Sequence, residues 1–165
     1  FIDCLILSFF YDMRIIAGAL AININLSYWL ISFSTLIFLS LAFVKRFSEL
    51  KVQKPKDNQT ILGRGYKTSN IMIIRIMGLL SGYTSIIVFF FYLNDEKTVN
   101  LYQSPKLIWM AIPILFFWIN WVWIKASKGK VHEDPIIFAV KDITSLFSAL
   151  LLVSIFIVAK NFTFL

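Results

Sequence analysis

KRFSELKVQKPKDNQTILGRGYKT, residues 45–68, decides how this chain folds: seven Lys/Arg and two Asp/Glu stand between two long apolar runs. The run before it is YWLISFSTLIFLSLAFV (28–44), and the run after it is IMIIRIMGLLSGYTSIIVFFFYL (71–93). A helix needs roughly 20 apolar residues to cross the hydrocarbon core of a bilayer. A positive loop between two such runs marks the cytoplasmic side, because Lys and Arg concentrate in cytoplasmic loops. It is also a place to hold an anion at the membrane surface.

Working outward, the same pattern repeats. Apolar stretches suggest helices over about residues 1–22, 28–45, 70–93, 107–125 and 138–159, with Ser27 and the Thr68–Asn70 stretch placed as caps and Pro113 expected to kink the fourth helix. The fold class expected is therefore an all-α integral membrane protein, a multi-helix transmembrane bundle in one domain. Composition agrees: 59% of the 165 residues are hydrophobic, 15% are charged and 17 are Phe, and the mean hydropathy is +0.78. That balance excludes an ordinary water-soluble domain. The net charge of +7 is gathered in a loop between spans, so it reads as membrane topology and not as a nucleic-acid surface. Alternation places the +5 loop and the +1 stretch 125–135 on one face, and the near-neutral links on the other. The first face is expected to be cytoplasmic. Cys4, the one cysteine, is expected to be a buried, inert thiol.

Ionisable residues inside spans are candidates for function, since lipid penalises them by several kcal/mol. Arg14 falls on one helical face with Tyr11 and Gly18, a face expected to look into the bundle. Asp12 points elsewhere. Either charge serves a substrate path or a structural ion pair. Arg75, Gly78 and Gly82 repeat the spacing, and Gly78-Leu-Leu-Ser-Gly82 is a GxxxG whose commonest meaning is close helix packing. The densest constellation is Lys45, Arg46 and Glu49 with Gly63-Arg64-Gly65-Tyr66 downstream. Lys45 and Glu49 lie at i, i+4; the cations suit phosphate oxygens, and Glu49 is placed either to bind Mg²⁺ or to orient Lys45. An ordinary positive loop explains the charge but not that pattern. His132-Glu133-Asp134 before Pro135 reads better as a loop or helix cap than as a metal site, since His132 is the single histidine. Asp134 and Asp142 are secondary candidates on the same face.

YDMRIIAGA (11–19), FLSLAFVKRFSEL (38–50), GRGYKTSN (63–70), SGY (81–83) and KGKVHEDPIIFAVKD (128–142) together resemble the UbiA superfamily of membrane prenyltransferases, most nearly its decaprenyl-phosphate phosphoribosyltransferase-like branch. The resemblance runs in order along essentially the whole chain. It implies a nine-helix bundle of which these residues form helices five to nine, with an active face toward the cytoplasm of a bacterial inner membrane. It implies Mg²⁺-dependent displacement of diphosphate, with the main Mg²⁺ ligands in an upstream carboxylate motif that this chain lacks, so that these residues alone are expected to be inactive. Where the superfamily usually carries a second aspartate motif, Lys45 and Glu49 stand instead, with Arg14, Arg46, Arg64 and Tyr66 as further substrate contacts. A lysine in place of a carboxylate suits a donor and acceptor that each bring an extra phosphate: phosphoribosyl diphosphate and a polyprenyl phosphate. The commoner alternative is polyprenyl transfer from polyprenyl diphosphate to an aromatic acceptor. Rivals of another class are a transporter segment, which spreads its charges along a path, and a structural membrane subunit, which gives no reason for GRGY.

Overall fold

The computed structural model describes residues 2–24, 26–52, 70–131 and 134–162. Eight helices are found among them: α1 (Ile2–Ala21), α2 (Tyr28–Val52), α3 (Ile71–Leu93), α4 (Glu96–Val99), α5 (Pro105–Ile108), α6 (Ala111–Ser127), α7 (Pro135–Lys141) and α8 (Ile143–Asn161). No strand forms among the described residues. Five segments are long and apolar enough to cross a membrane: α1, α2, α3, α5 with α6, and α8. The five-span expectation therefore holds in length and composition, and the boundaries move for identifiable reasons.

The largest shift is at α2, which runs seven residues past the expected end at Lys45. Lys45, Arg46 and Glu49 continue it because both cations find carboxylates and Phe47 and Leu50 are buried in the core. The fourth span breaks at Trp109 and Met110, four and three residues before Pro113. Proline has no N–H to offer the carbonyl four residues back, and here Ile112 N–H bonds the Trp109 carbonyl in a tighter turn at 3.1 Å. The last span divides at Asp142, which ends α7 and caps α8.

Two helix ends close in the same way. After α1, Asn23 adopts φ 57°, Ile24 N–H bonds the Ala19 carbonyl at 2.9 Å and Asn23 N–H the Leu20 carbonyl at 3.2 Å. After α6, Gly129 has φ 67°, with Lys130 N–H to the Lys125 carbonyl at 3.0 Å and Gly129 N–H to the Ala126 carbonyl at 2.9 Å. This is the Schellman pattern, which needs a residue tolerant of left-handed backbone. Ser27 caps α2 as its position suggests, its Oγ accepting from Trp29 N–H at 3.3 Å.

In lipid there is little hydrophobic gain in bringing helices together, so close packing and interhelical hydrogen bonds must do it. Gly78 and Gly82 of α3 do so: a Cβ on Gly78 would lie 2.2 Å from Trp123 Cζ2 and 2.8 Å from Phe43 Cβ. Beside them Ser40 donates to the Gly78 carbonyl at 2.7 Å and accepts from Trp123 Nε1 at 3.2 Å. Thus α2, α3 and α6 lock at one buried point. The glycine motif is a packing device, as its spacing suggests. Arg75 does not share that face, which is formed by Ile74, Gly78, Gly82 and Ser85; Arg75 is exposed. Cys4 is fully buried against this core. A second core joins Phe89, Leu93, Ile108, Leu115 and Ala159 at the other end, tied by Ser104 Oγ donating to the Phe162 carbonyl at 2.8 Å.

Topology is directly testable. Exposed Lys51 and Lys130 lie at the basic end and exposed Asn100 at the other. Membrane-impermeant thiol labelling of single cysteines should modify Lys51→Cys and Lys130→Cys from one side and Asn100→Cys from the other. All three reacting from the same side would undo the five-span arrangement.

Candidate functional site

The last two turns of α2 carry Lys45, Arg46 and Glu49 beside the core residues Phe47 and Leu50, and neighbouring positions on a helix point about 100° apart. The structure accordingly sends them to different partners. Lys45 Nζ lies 3.1 Å from Asp134 Oδ2, both side chains being partly exposed, at 30% and 20%. Tyr11 of α1 donates its hydroxyl to the same carboxylate, at 3.2 Å to Oδ1 and 3.1 Å to Oδ2. Asp134 also accepts from Ile136 N–H at 3.1 Å, capping α7. The Arg14 guanidinium lies over the Tyr11 ring, 5.3 Å from its centroid. Tyr11, Arg14, Lys45 and Asp134 therefore form one cluster, drawn from α1, α2 and the approach to α7, at the end of the bundle where the basic loop begins.

Arg46 is elsewhere. It is buried, 5% exposed, and its guanidinium is held between Asp3 of α1 and Glu49 one turn on. A guanidinium clamped by two carboxylates staples α1 to α2. Arg46 and Glu49, read from the sequence as ligand contacts, are thus paired with each other and with Asp3. Glu49 pairs with Arg46 one turn back, and Lys45 pairs with Asp134.

The inward face expected for Arg14 also needs correction. The residues that α1 buries are Cys4, Ser8, Asp12 and Ala19, a stripe at helical spacing that puts Tyr11 at its edge and Arg14 and Gly18 on the other side. Arg14 and Gly18 are exposed, and Tyr11 is half-buried. Asp12 is the intramembrane charge that turns inward. Arg64, Tyr66, His132 and Glu133 lie outside the described residues.

Asp142 builds a smaller copy of the Asp134 arrangement. It accepts from Ser145 N–H and Oγ, both at 3.0 Å, and from Trp121 Nε1 at 2.9 Å. Lys125 Nζ is 3.6 Å away and sits 4.5 Å from the Trp121 ring centroid. For both carboxylates burial acts to raise the pKa, and hydrogen bonding outweighs it. The Ile136 N–H, Lys45 and Tyr11 hold Asp134 below the ordinary carboxylate value, and Trp121, Ser145 and Lys125 do the same for Asp142. A carboxyl whose folded pKa is depressed stabilises the fold above its unfolded value, and loses that contribution as pH falls through the folded one. The junctions at α7 and α8 should therefore loosen only below about pH 4. Acid titration of tryptophan fluorescence should show a transition there that Asp142→Asn diminishes. A transition centred at pH 5 or above, or one indifferent to Asp142→Asn, would contradict this.

Among the described residues no group of three or more His, Cys, Asp and Glu side chains converges. With Glu49 committed to Arg46, these residues do not by themselves fit a Mg²⁺ ion. What they hold is two cations around one carboxylate and its tyrosine: the Lys45 ammonium on Asp134, and the Arg14 guanidinium over the ring of Tyr11, whose hydroxyl donates to Asp134. Asp134 was legible as a capping residue ahead of Pro135, but its grip on Lys45 joins residues 89 positions apart and has no local signal. Asp3 was legible only as an interruption of an apolar run.

No protein-family model matches the chain, and no solved structure is found similar to it. Two curated relatives are. One is "Uncharacterized protein y4nM" of Sinorhizobium fredii, 32% identical over 96% of this chain and 31% of its own length. The other is "Nodulation protein NoeC" of Azorhizobium caulinodans, 29% identical over 88% of this chain and 47% of its own length. The chain thus spans about a third to a half of the length of the curated relatives it matches.

Proposed function

We propose that this chain is part of a UbiA-type integral membrane transferase, and that its reaction moves a phosphoribosyl group from phosphoribosyl diphosphate to a polyprenyl phosphate at the cytoplasmic face of a bacterial inner membrane. The observation that carries this reading is the placement of Lys45. It stands at the root of the +5 loop, partly exposed and held by Asp134, with Tyr11 and Arg14 beside it. A fixed ammonium where an apolar helix meets the aqueous face suits a ligand with a polyanionic head; an apolar tail, where one is present, remains in lipid. The two relatives come from bacteria, and the name of one ties it to nodulation.

The reaction is a displacement at the anomeric carbon. The bond from that carbon to the diphosphate oxygen breaks, and the diphosphate leaves with the electron pair. An oxygen of the polyprenyl phosphate forms the new bond; as an anion it needs no base to take a proton from it. Negative charge gathers on the leaving diphosphate in the transition state, and preorganised cations stabilise it there at little reorganisation cost. Lys45 and Arg14 are assigned that role, Tyr11 donates to a phosphate oxygen when Asp134 yields it, and Asp134 aims Lys45. Mg²⁺, which this reaction class uses to screen diphosphate, is not assigned to the described residues.

Equilibrium dialysis of radiolabelled phosphoribosyl diphosphate against the purified full-length protein tests the reading. Saturable binding that inorganic diphosphate displaces is expected. Absence of saturable binding would remove the donor assignment.

A further inference from the structure

The inward-facing charge of α1 is unused by the site above. Asp12 lies midway along α1, is 5% exposed, and its Oδ1 is buried with no hydrogen-bond partner among the described residues. The nearby hydroxyls cannot serve it: Ser8 Oγ donates to the Thr35 carbonyl at 2.8 Å and Thr35 Oγ1 to the Ile31 carbonyl at 2.8 Å. An unpaired carboxylate oxygen at the depth of a membrane span is costly, and such groups pair with an opposite charge or with donors. Asp12 also borders an open groove of about 550 Å³ between α1 and α2, walled by Leu5, Phe9, Ile16, Ile31 and Thr35. Leu5, Phe9, Asp12 and Ile16 are spaced 4, 3 and 4 residues apart, the seam into which a second helix packs its side chains. Leu5 and Phe9 are 55% and 58% exposed, so the seam has apolar walls, a negative floor and no occupant within the described residues.

We propose that a transmembrane helix from outside residues 1–165 docks in this seam and sets a lysine or arginine against Asp12. Charge complementarity selects the cation, and the seam spacing selects a helix over a lipid chain. The curated relatives extend well beyond their match to this chain, which covers 31% and 47% of them, so such proteins contain polypeptide able to supply it. The inference stands independently of the transferase reading.

The test places the photoreactive residue p-benzoylphenylalanine at Phe9 of the full-length protein in its native membrane, followed by peptide mapping of the adducts. The expected adduct is a peptide from an apolar segment that carries a lysine or arginine. Asp12→Asn, which keeps the side-chain shape, should lower its yield about fivefold or more. Exchanging the charges, Asp12→Lys with the mapped cation changed to Asp, should recover it even where Asp12→Asn folds poorly. Adducts to lipid alone, adducts to residues 1–165 of a second copy, a partner peptide with no cation, or a yield indifferent to Asp12→Asn would each overturn the proposal.

Discussion

Gly78→Ala should lower the stability of the bundle by about 1–3 kcal/mol, the usual range for overpacking a well-filled core, and Gly78→Leu should prevent recovery of folded protein. The reason is geometric. The added carbon would meet Trp123 at 2.2 Å and Phe43 at 2.8 Å, so a large ring in α6 and the Cβ atom of a residue in α2 must both move. Moving either one strains the Ser40 bridge, which joins the Gly78 carbonyl to Trp123 Nε1. Gly18 is the internal control, because nothing lies within 4 Å of the corresponding position there. Gly18→Ala should leave stability unchanged or raise it slightly, as expected for glycine in an exposed helix. Thermal unfolding in detergent, followed by size-exclusion chromatography, distinguishes the two. Equal behaviour of Gly78→Ala and Gly18→Ala would mean that α2, α3 and α6 do not lock at this point.

The second large effect is expected at Lys45. Removing one charged partner from a hydrogen bond to an anion costs about 1.5–3 kcal/mol, so Lys45→Gln should weaken donor binding about 10- to 100-fold. Lys160, exposed in the last turn of α8, lies away from the basic end, and Lys160→Gln should bind donor as the wild type does. Arg46→Gln should behave differently again. It leaves Asp3 and Glu49 facing each other without their shared cation, so protein stability should fall before affinity does. Dialysis with each purified variant, read beside its melting temperature, separates a ligand contact from a structural staple. Lys45→Gln with unchanged affinity would reduce the basic loop to a topology signal.

Much of the fold could be read from the chain because the bilayer simplifies the code. Apolar runs of spanning length, the Ser27 cap, the proline in the fourth span and the small-residue motif of α3 each act locally, and each acts in the structure as its chemistry dictates. The site was less legible. Lys45 stands out in the sequence as a lysine at the mouth of an apolar helix, but its pairing with Asp134 does not, since that depends on how α2 and the approach to α7 are brought together. Periodicity also misjudged α1: it identifies residues that share a face without saying which face is inward, and here Cys4, Ser8 and Asp12 turn in while Arg14 turns out. Adjacent Lys45 and Arg46 look equivalent as letters, and only the fold separates the partly exposed cation from the buried, doubly paired one.

The reaction proposed for the full-length protein is read most plainly from its product. Membranes containing the full-length protein are given radiolabelled phosphoribosyl diphosphate with polyprenyl phosphate, and separately polyprenyl diphosphate with 4-hydroxybenzoate. Lipid-linked phosphoribose is expected from the first pair, lost in Lys45→Gln, and no product from the second. Prenylated hydroxybenzoate as the sole product, or no product from either pair, would contradict the proposed reaction.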